Sequence, residues 1–543
     1  MQPYLKWYFY LLLGLLVLPV TSHAEQENIN QLLQNLTEAN LRETGAIVSE
    51  LEKVGGESML PLFKTLLAGD LYYIKENKQI FSATRTDEGY AGIDVFTEQS
   101  LGEFGRRDVK KIRVNNSLRT QLREVIARIN LSAKDEQIRL QAVQTMLGEL
   151  DDNSYQLVLD RLTVESNGKA KKALLQAQAL YLAKTSQSSE ERVSAIQTLS
   201  GNLDPEVRSV LSNIVKTDSE GQYIEQSKPV INAAQTALDS IDGKIKFYGF
   251  LEQLFFGLSA GSVLLLAAIG LAITFGVMGV INMAHGEMMM LGAYTTFVIQ
   301  QLMPNAIEYS LILAVPAAFL VSGSVGVVIE RTVIRFLHGR PLETLLATFG
   351  ISLILQQAVR TIFTPLNRQV ITPDWMSGSL EFNSVFSITY NRLYILIFAL
   401  MLFFVLQLIL KKTSLGLNVR AVSQNRSMAK AIGIKTDRVD ALTFGLGSGI
   451  AGVAGVALSQ LTNVGPNLGQ SYIIDSFMVV VFGGVGNLLG TLVGGFSLGI
   501  ANKFLEPATG AVLANIIILV FIILFIQKRP KGLFPQKGRA AND

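Results

Sequence analysis

Two short polar interruptions between apolar stretches hold the side chains with the most chemical reach. The first, Asn282-Met-Ala-His285-Gly-Glu287, follows directly on Phe275-Gly-Val-Met-Gly-Val-Ile281. Ionisable groups flanked by apolar sequence are costly to bury and usually face a bundle interior or an aqueous route. His285 and Glu287 are two positions apart, so on a continuous helix they point in different directions, which argues against an acid–base pair. The second interruption, Gly483-Gly484-Val485-Gly486-Asn487, breaks a glycine-rich apolar stretch at 471–502. Irregular backbone at membrane depth persists only where protein or water covers it, so this break is expected to line a cavity. Asn282, His285, Glu287, Gly483, Gly484, Gly486 and Asn487 are therefore the candidates for lining a polar path.

Other chemistries are poorly supplied. The chain has 543 residues, no cysteine and three histidines, which removes thiolate nucleophiles, cysteine-bound metals and disulfides. No second histidine stands near His285 and no H-E-x-x-H occurs, so no metal site is expected. The Gly-x-Ser-x-Gly strings Gly257–Gly261 and Gly495–Gly499 lie inside apolar stretches of spanning length and not on a strand-to-helix elbow, which leaves a membrane hydrolase without an exposed nucleophile. The only Gly-Lys pairs, Gly168-Lys169 and Gly243-Lys244, lack both the upstream glycine and the following Ser or Thr of a phosphate-cradling loop. A formal net charge of +3 gives no reason to expect nucleic acid.

These elements must be held by a scaffold that lives in two solvents. From Glu25 to Gly243, 57 of 219 residues are charged; from Lys244 to Asp543, 33 of 300 are. The first density is that of a soluble domain. The second accompanies recurring apolar stretches of spanning length, at about 250–279, 286–303, 309–334, 342–363, 391–410, 440–462, 471–502 and 511–527. Ahead of both stands Met1–Ala24, with Lys6, an apolar run from Trp7 to Val20 and Ser22-His23-Ala24, which reads as a secretory signal peptide. The expected domains are 1–24 signal, 25–243 exported and 244–543 membrane.

Basic residues set the direction. Arg331, Arg335 and Arg340 flank one short loop, Lys411 to Asp440 holds seven basic and two acidic residues, and Lys528 to Arg539 holds five basic and none acidic. By the positive-inside rule all three face the cytoplasm. An outside start and an inside tail then require 471–502 to begin and end outside, as a hairpin of short or half spans turning at Gly483–Asn487.

The exported part is mainly helical by periodicity. Ala142-Val-Gln-Thr-Met-Leu-Gly-Glu-Leu-Asp151 and Ala195-Ile-Gln-Thr-Leu-Ser-Gly-Asn-Leu-Asp204 share six of ten residues. The repeat suggests stacked helical hairpins, similar to a short HEAT-like array. Alternation within Tyr72–Leu101 predicts a small β-hairpin. The basic run Arg106–Arg113 reads as a solvated face or a docking surface. The fold class is thus all-α, a polytopic bundle of about eight apolar segments, two of them broken, behind a helical exported domain.

The segment Thr413-Ser-Leu-Gly416-Leu-Asn-Val-Arg420, continuing through Arg426, Ala429 and Ala431 to Gly433, is amphipathic and basic. A short projecting helix of this kind suits a groove on a soluble partner or an anionic lipid surface. Together with Gly270–Glu287, Phe482–Gly490 and Arg529-Pro-Lys-Gly-Leu-Phe534, it resembles the permease family of branched-chain amino-acid ABC importers, across about 290 residues. The resemblance implies that Gly416, Arg420, Arg426, Ala429, Ala431 and Gly433 form the loop that couples to an ATP-binding subunit. The literal Glu-Ala-Ala triplet of other ABC importers is absent. It further implies two separate ATPase chains that use ATP and magnesium, a second permease subunit, a periplasmic solute-binding protein, and an inner-membrane location with no cofactor on this chain. The exported region before the first span is similar in layout to the B-type permease of urea ABC importers, so the expected cargo is urea, with a branched-chain amino acid or short amide as the alternative. A solitary channel or ion-coupled carrier would instead rely on Glu252, Glu287, Glu330, Glu343 or Asp475.

Overall fold

The computed structural model describes residues 21–535 except 42, 87, 88, 148 and 149. Most of the expected signal peptide, residues 1–20, lies outside the described residues. The chain divides into two compact units, Met1–Gly243 and Lys244–Asp543.

In the first unit, α1 (Thr21–Glu38), α2 (Glu43–Gly55) and α3 (Leu60–Ala68) precede an antiparallel sheet of β1 (Leu71–Ile74), β2 (Ile80–Arg85), β3 (Tyr90–Asp94), β4 (Ser100–Phe104) and β5 (Val109–Lys111), in spatial order β4-β3-β2-β1-β5. The expected hairpin is therefore part of a five-stranded sheet. Its outer members escaped the alternation test because Ser-Leu-Gly-Glu-Phe and Val-Lys-Lys are edge strands, where glycine and charge are tolerated. Leu36, Val48, Leu51, Phe63 and Leu66 close a core against Leu71 of β1 and Leu122 of α4 (Asn116–Leu131).

The helices α5 (Glu136–Met146), α6 (Asp152–Val164), α7 (Gly168–Thr185), α8 (Ser189–Leu199) and α9 (Pro205–Ile214) follow. Each of α4 to α9 begins on a side-chain cap: Asn115, Asp135, Asp151, Asn167, Ser188 and Asp204 accept hydrogen bonds from first-turn amides. Such caps contribute about 1 kcal/mol each. The two repeat copies occupy equivalent places, with Ala142 and Ala195 buried in α5 and α8 and the terminal Asp of each copy capping the next helix. Between α6 and α7, buried Glu165 accepts hydrogen bonds from Arg139 Nε (2.9 Å) and Nη2 (3.1 Å), from Arg161 Nε (3.0 Å) and from the Asn167 amide (3.0 Å). The Arg139 guanidinium is the main reason its carboxyl is held down to about 2.

The second unit contains the greater part of α10 (Lys228–Met278), then α11 (His285–Leu302), α12 (Ile307–Thr332), α13 (Pro341–Phe363), a two-stranded ribbon of β6 (Ser379–Glu381) and β7 (Ser387–Thr389), α14 (Tyr390–Lys412), α15 (Ser414–Gln424), α16 (Arg426–Ala431), α17 (Thr436–Ser459), α18 (Leu468–Gly483), α19 (Leu488–Thr509) and α20 (Ala511–Lys528). Among the described residues, α10, α12, α13, α14, α17, α19 and α20 are long and apolar enough to cross a membrane. The second unit is a polytopic helical bundle.

Of these seven, α17 is the most enclosed, with 89% of its apolar window buried. Its neighbours reach it backbone to backbone. A Cβ on Gly292 of α11 would stand 1.9 Å from the Gly452 carbonyl oxygen, and one on Gly455 would stand 1.9 Å from that of Met289. Only hydrogen atoms fit at those two points. Ser322 of α12 completes the junction by donating to the Met288 carbonyl at 2.9 Å.

Gly292→Val is expected to cost on the order of 3 kcal/mol through overpacking and to abolish the monodisperse peak of the detergent-extracted protein on size-exclusion chromatography. Gly350→Ala, where an added Cβ meets nothing within 4 Å, leaves the peak unchanged. In the first unit, Glu165→Gln should lower stability by about 3 kcal/mol by stranding buried Arg139. Because the carboxyl is held down to about 2 from an ordinary 4.5, its contribution is complete above the ordinary value and disappears as pH falls through that window. Thermal melts of the wild type and Glu165→Gln should therefore converge below it.

Candidate functional site

The scale of the bundle is set by α14. Arg392 near its start and Lys411 near its end are about 28 Å apart at about 1.5 Å per residue, close to the ~30 Å of a hydrocarbon core. A cavity opens at each of these ends.

At the Lys411 end a cavity of about 570 Å³ lies between Gly276 and Val277 of α10, Gln407 and Lys411 of α14, Arg420 of α15, Gly486, Asn487 and Phe534. The Gly483–Asn487 break thus borders a cavity and turns against the tail. Leu533 and Phe534 donate their amides to the Phe482 and Gly483 carbonyls at 2.9 and 3.1 Å, and Asn487 Nδ2 donates to the Phe534 carbonyl at 3.3 Å. Asn487 Oδ1 also caps α19, accepting from the Leu489 and Gly490 amides. Gly484 adopts φ +106°, a conformation open to glycine. The hairpin differs from the one expected. The 16-residue α18 is short, but α19 runs 22 residues and is among the seven long apolar helices. The turn therefore sits beside the tail rather than at mid-depth, because the apolar register of α19 continues unbroken past Leu498.

Beside this cavity, α15 and α16 form the basic segment. Thr413 and Asn425 cap them, and Gly433, at φ +91°, ends the second. The six residues singled out in the sequence divide into two groups. Gly416 is buried where a Cβ would stand 2.1 Å from the Leu410 carbonyl oxygen, and Ala429 is buried among Val419, Val422 and Val439. Arg420 donates to the Leu410 carbonyl, and Arg426 forms a two-pronged pair with Asp440 of α17. These four fasten the segment. Ala431 and Gly433 are exposed, together with Leu417, Met428 and Ile432, which sequence reading had not marked. His338 Nε2 lies 3.8 Å from Asp440. Burial and the Arg426 guanidinium hold His338 below the usual histidine range against the pull of Asp440, so Arg426 is the charge that answers Asp440 at neutral pH.

At the Arg392 end a second cavity, of about 360 Å³, is lined by Ser259, Arg392, Tyr472, Asp475, Asn502 and Asn515, with a Lys503–Glu506 ion pair at its edge. No hydrogen bond or ion pair engages the Asp475 carboxylate among the described residues. The sequence signal for it was a lone acid within an apolar helix. Between the two cavities, Ala268, Leu271, Ala272, Val479, Val480 and Leu498 pack into one apolar cluster. The two cavities are thus divided by an apolar plug that shares Ala272 with the wall of the first and Val479 and Leu498 with the wall of the second.

Asn282, His285 and Glu287 stand apart from both, packed against α10 and α13. His285 Nε2 is 2.8 Å from the Ala267 carbonyl. Glu287 Oε1 accepts from Ser352 Oγ at 2.9 Å and Gln356 Nε2 at 2.7 Å. Thr348 of α13 bonds the Met283 amide and the Ile281 carbonyl. The imidazole and the carboxylate have separate partners and form no dyad. Asn282 Nδ2, His285 Nδ1 and Glu287 Oε2 are buried without hydrogen-bond partners. At Gly286 a Cβ would stand 2.4 Å from the Gly469 carbonyl oxygen, so this break abuts the start of α18, whose later turns line the Arg392-end cavity.

Residues 253–526 match the family profile described as branched-chain amino acid transport system / permease component. The permease protein LivH of the high-affinity branched-chain amino acid transport system of Salmonella typhimurium is 33% identical over 299 residues, 53% of this chain and 96% of the relative. The chain belongs to this family of ABC-type permeases. BraD of Pseudomonas aeruginosa is 31% identical over the same shares, and a probable LivH of Methanocaldococcus jannaschii is 28% identical over 50% of this chain and 88% of its own length. No solved structure matches. The permease is therefore a multi-pass membrane protein whose relatives are transport components.

Because the permease has no native cysteine, single cysteines report on its cavities directly. Asn487→Cys and Asn502→Cys should be labelled by a membrane-impermeant maleimide from opposite sides of the membrane, Asn502→Cys in intact cells and Asn487→Cys only in inverted vesicles. Leu271→Cys in the plug should react from neither side at rest.

Proposed function

We propose that this permease passes a small polar solute between the two cavities as partner ATPases pull on α15 and α16. The observation that carries the reading is the pair of cavities at the two ends of α14, each with polar groups in its wall and divided by an apolar plug, with a fastened basic segment beside one of them. A lone carboxylate at membrane depth is expensive and is retained where a solute or water meets it. A plug of aliphatic side chains blocks polar cargo until the helices part, so transport requires an alternation between two packings. The Lys411 end faces the cytoplasm on this reading, in agreement with the positive charge of Lys411–Asp440.

The exposed tips of the segment, Met428, Ala431, Ile432 and Gly433, suit an apolar groove on an ATP-binding subunit. Arg426 and Asp440 would carry force from that contact into α17. ATP and magnesium then belong to the partner subunits, and a second permease and a periplasmic binding protein complete the assembly. Asn487, Gly486 and Asp475 are the proposed solute contacts. Asn282, His285 and Glu287, beside the start of α18, form a buried polar reserve that the moving helices could expose, while Gly483 and Gly484 shape the turn.

Urea is the proposed cargo. It is neutral and rich in donors and acceptors, and the Arg392-end cavity offers two hydroxyls, a phenol, two amides and two carboxylates beside Arg392 and Lys503. The match to LivH covers nearly all of that relative but only half of this chain. The first unit is thus an addition, as in the urea-type layout. A branched-chain amino acid is the second reading, favoured by the names of the relatives and by Asp475 and Arg392, which could answer an ammonium and a carboxylate.

In proteoliposomes holding the complete importer, ATP-dependent uptake of labelled urea with no uptake of leucine is the expected result; the reverse pattern assigns the amino acid. Ile432→Glu should reduce ATP-driven uptake roughly tenfold or more, as loss of an interface anchor does, while folded yield stays normal. Uptake by the permease alone, without ATPases, would overturn the coupled mechanism.

A further inference from the structure

A third cavity, of about 480 Å³, opens on the flank of the bundle between α12, α14 and α17. Leu311, Val315, Phe398, Met401, Val456 and Ala457 form its walls. Ile312, Ile397 and Met401 along it are each more than half exposed. On helices that cross a membrane, this exposure faces hydrocarbon. From Tyr394 to Met401 the groove follows α14 for about 10 Å, within the roughly 15 Å of a single leaflet. A transmembrane helix from another chain would need a groove running the full thickness.

The groove is not uniformly apolar. Gln460, at the end of α17, lines it, and its Oε1 is buried with no hydrogen-bond partner, while its Nε2 is engaged by Ser459 Oγ at 3.2 Å. The unanswered atom is an acceptor and calls for a donor. At the mouth, Trp375 and Tyr394 meet edge to face at 5.4 Å, and Trp375 Nε1 is fixed by the Glu308 carbonyl at 3.0 Å. Paired amphipathic rings at a helix end mark the level of lipid headgroups.

We propose that this groove is a binding site for one phospholipid of the leaflet at the Arg392 end, with an acyl chain along Phe398 and Met401 and a head-group donor, an ammonium or a hydroxyl, on Gln460. The lipid supplies both what the walls need and the hydrogen bond that Gln460 lacks. Burial of an acyl chain gains little over the bilayer itself, so the preference comes from packing and from that single bond. The inference rests on the membrane bundle and not on the identity of the cargo.

The test is native mass spectrometry of the complete importer extracted in mild detergent, after exchange into nanodiscs of phosphatidylethanolamine, phosphatidylglycerol or phosphatidylcholine. One retained lipid per permease chain is expected, with donor-bearing heads favoured over choline roughly fivefold, the value of one hydrogen bond. Comparison of the ethanolamine and glycerol arms identifies the donor. Gln460→Leu should erase the preference while keeping the lipid, and Ala457→Trp, which fills the groove floor, should lose it. In the unmodified chain, a phospholipid with a photoactivatable acyl chain should cross-link at Phe398–Met401. Cross-links spread evenly over the outward faces of α12 and α14 would overturn the proposal. So would a photo-reactive residue at Phe398 capturing the second permease, or retention unaltered by Ala457→Trp.

Discussion

The second unit depends on how closely polypeptide backbones approach α17. At Gly292 of α11 and Gly455 of α17 the approach of the two helices leaves no room for a methyl group, and Ser322 of α12 reaches across to the α11 backbone at the same level. In lipid, helices gain nothing by hiding apolar surface from a solvent that is equally apolar, so close van der Waals contact and interhelical hydrogen bonds must supply the cohesion. That junction fixes α11, which places His285 and Glu287 in the interior, and fixes α17, whose second turn carries Asp440. The polar break and the basic segment are thus both referred to one helix.

A second consequence concerns polarity. The buried break at Asn282–Glu287 is not left to itself: Thr348, Ser352 and Gln356 of α13 attend to it. The satisfied bonds fix the segment in place, and the atoms that remain unsatisfied, at Asn282, His285 and Glu287, identify where further polar contact would be favourable. The Glu165 cluster of the first unit is the contrasting case. There two arginines and an amide saturate the carboxylate, and the arrangement is explained by stability alone.

Much of this was visible in the amino-acid order. The change in charge density at Gly243, the two polar breaks, the basic loop and the repeated helix with its capping aspartate are local signals. What escaped was set by partners distant in sequence. Nothing near Glu287 announces Ser352 or Gln356. The family resemblance places Gly416 and Ala429 in the coupling loop, and the structure buries both, against Leu410 and Val439. The exposed Met428 and Ile432 look like ordinary core residues by type. Asp475 was one of five eligible acids, and only the arrangement of α10, α14, α18 and α19 shows that it borders a cavity. The edge strands β4 and β5 lacked the alternation that reveals a strand with both neighbours.

The glycines of α17 also bear on how the molecule is made. Five glycines in one helix, each about 1 kcal/mol poorer than alanine as a helix former in water, leave a segment with little intrinsic persistence and little greasy surface. Such a segment gains its stability from neighbours already in place. Synthesis runs from the N-terminus, so α11 and α12 precede α17 into the bilayer and present the cleft it will occupy. The least self-sufficient helix of the bundle therefore arrives after its binding site, and biogenesis resembles docking of a guest into a waiting host more than the gathering of independent rods.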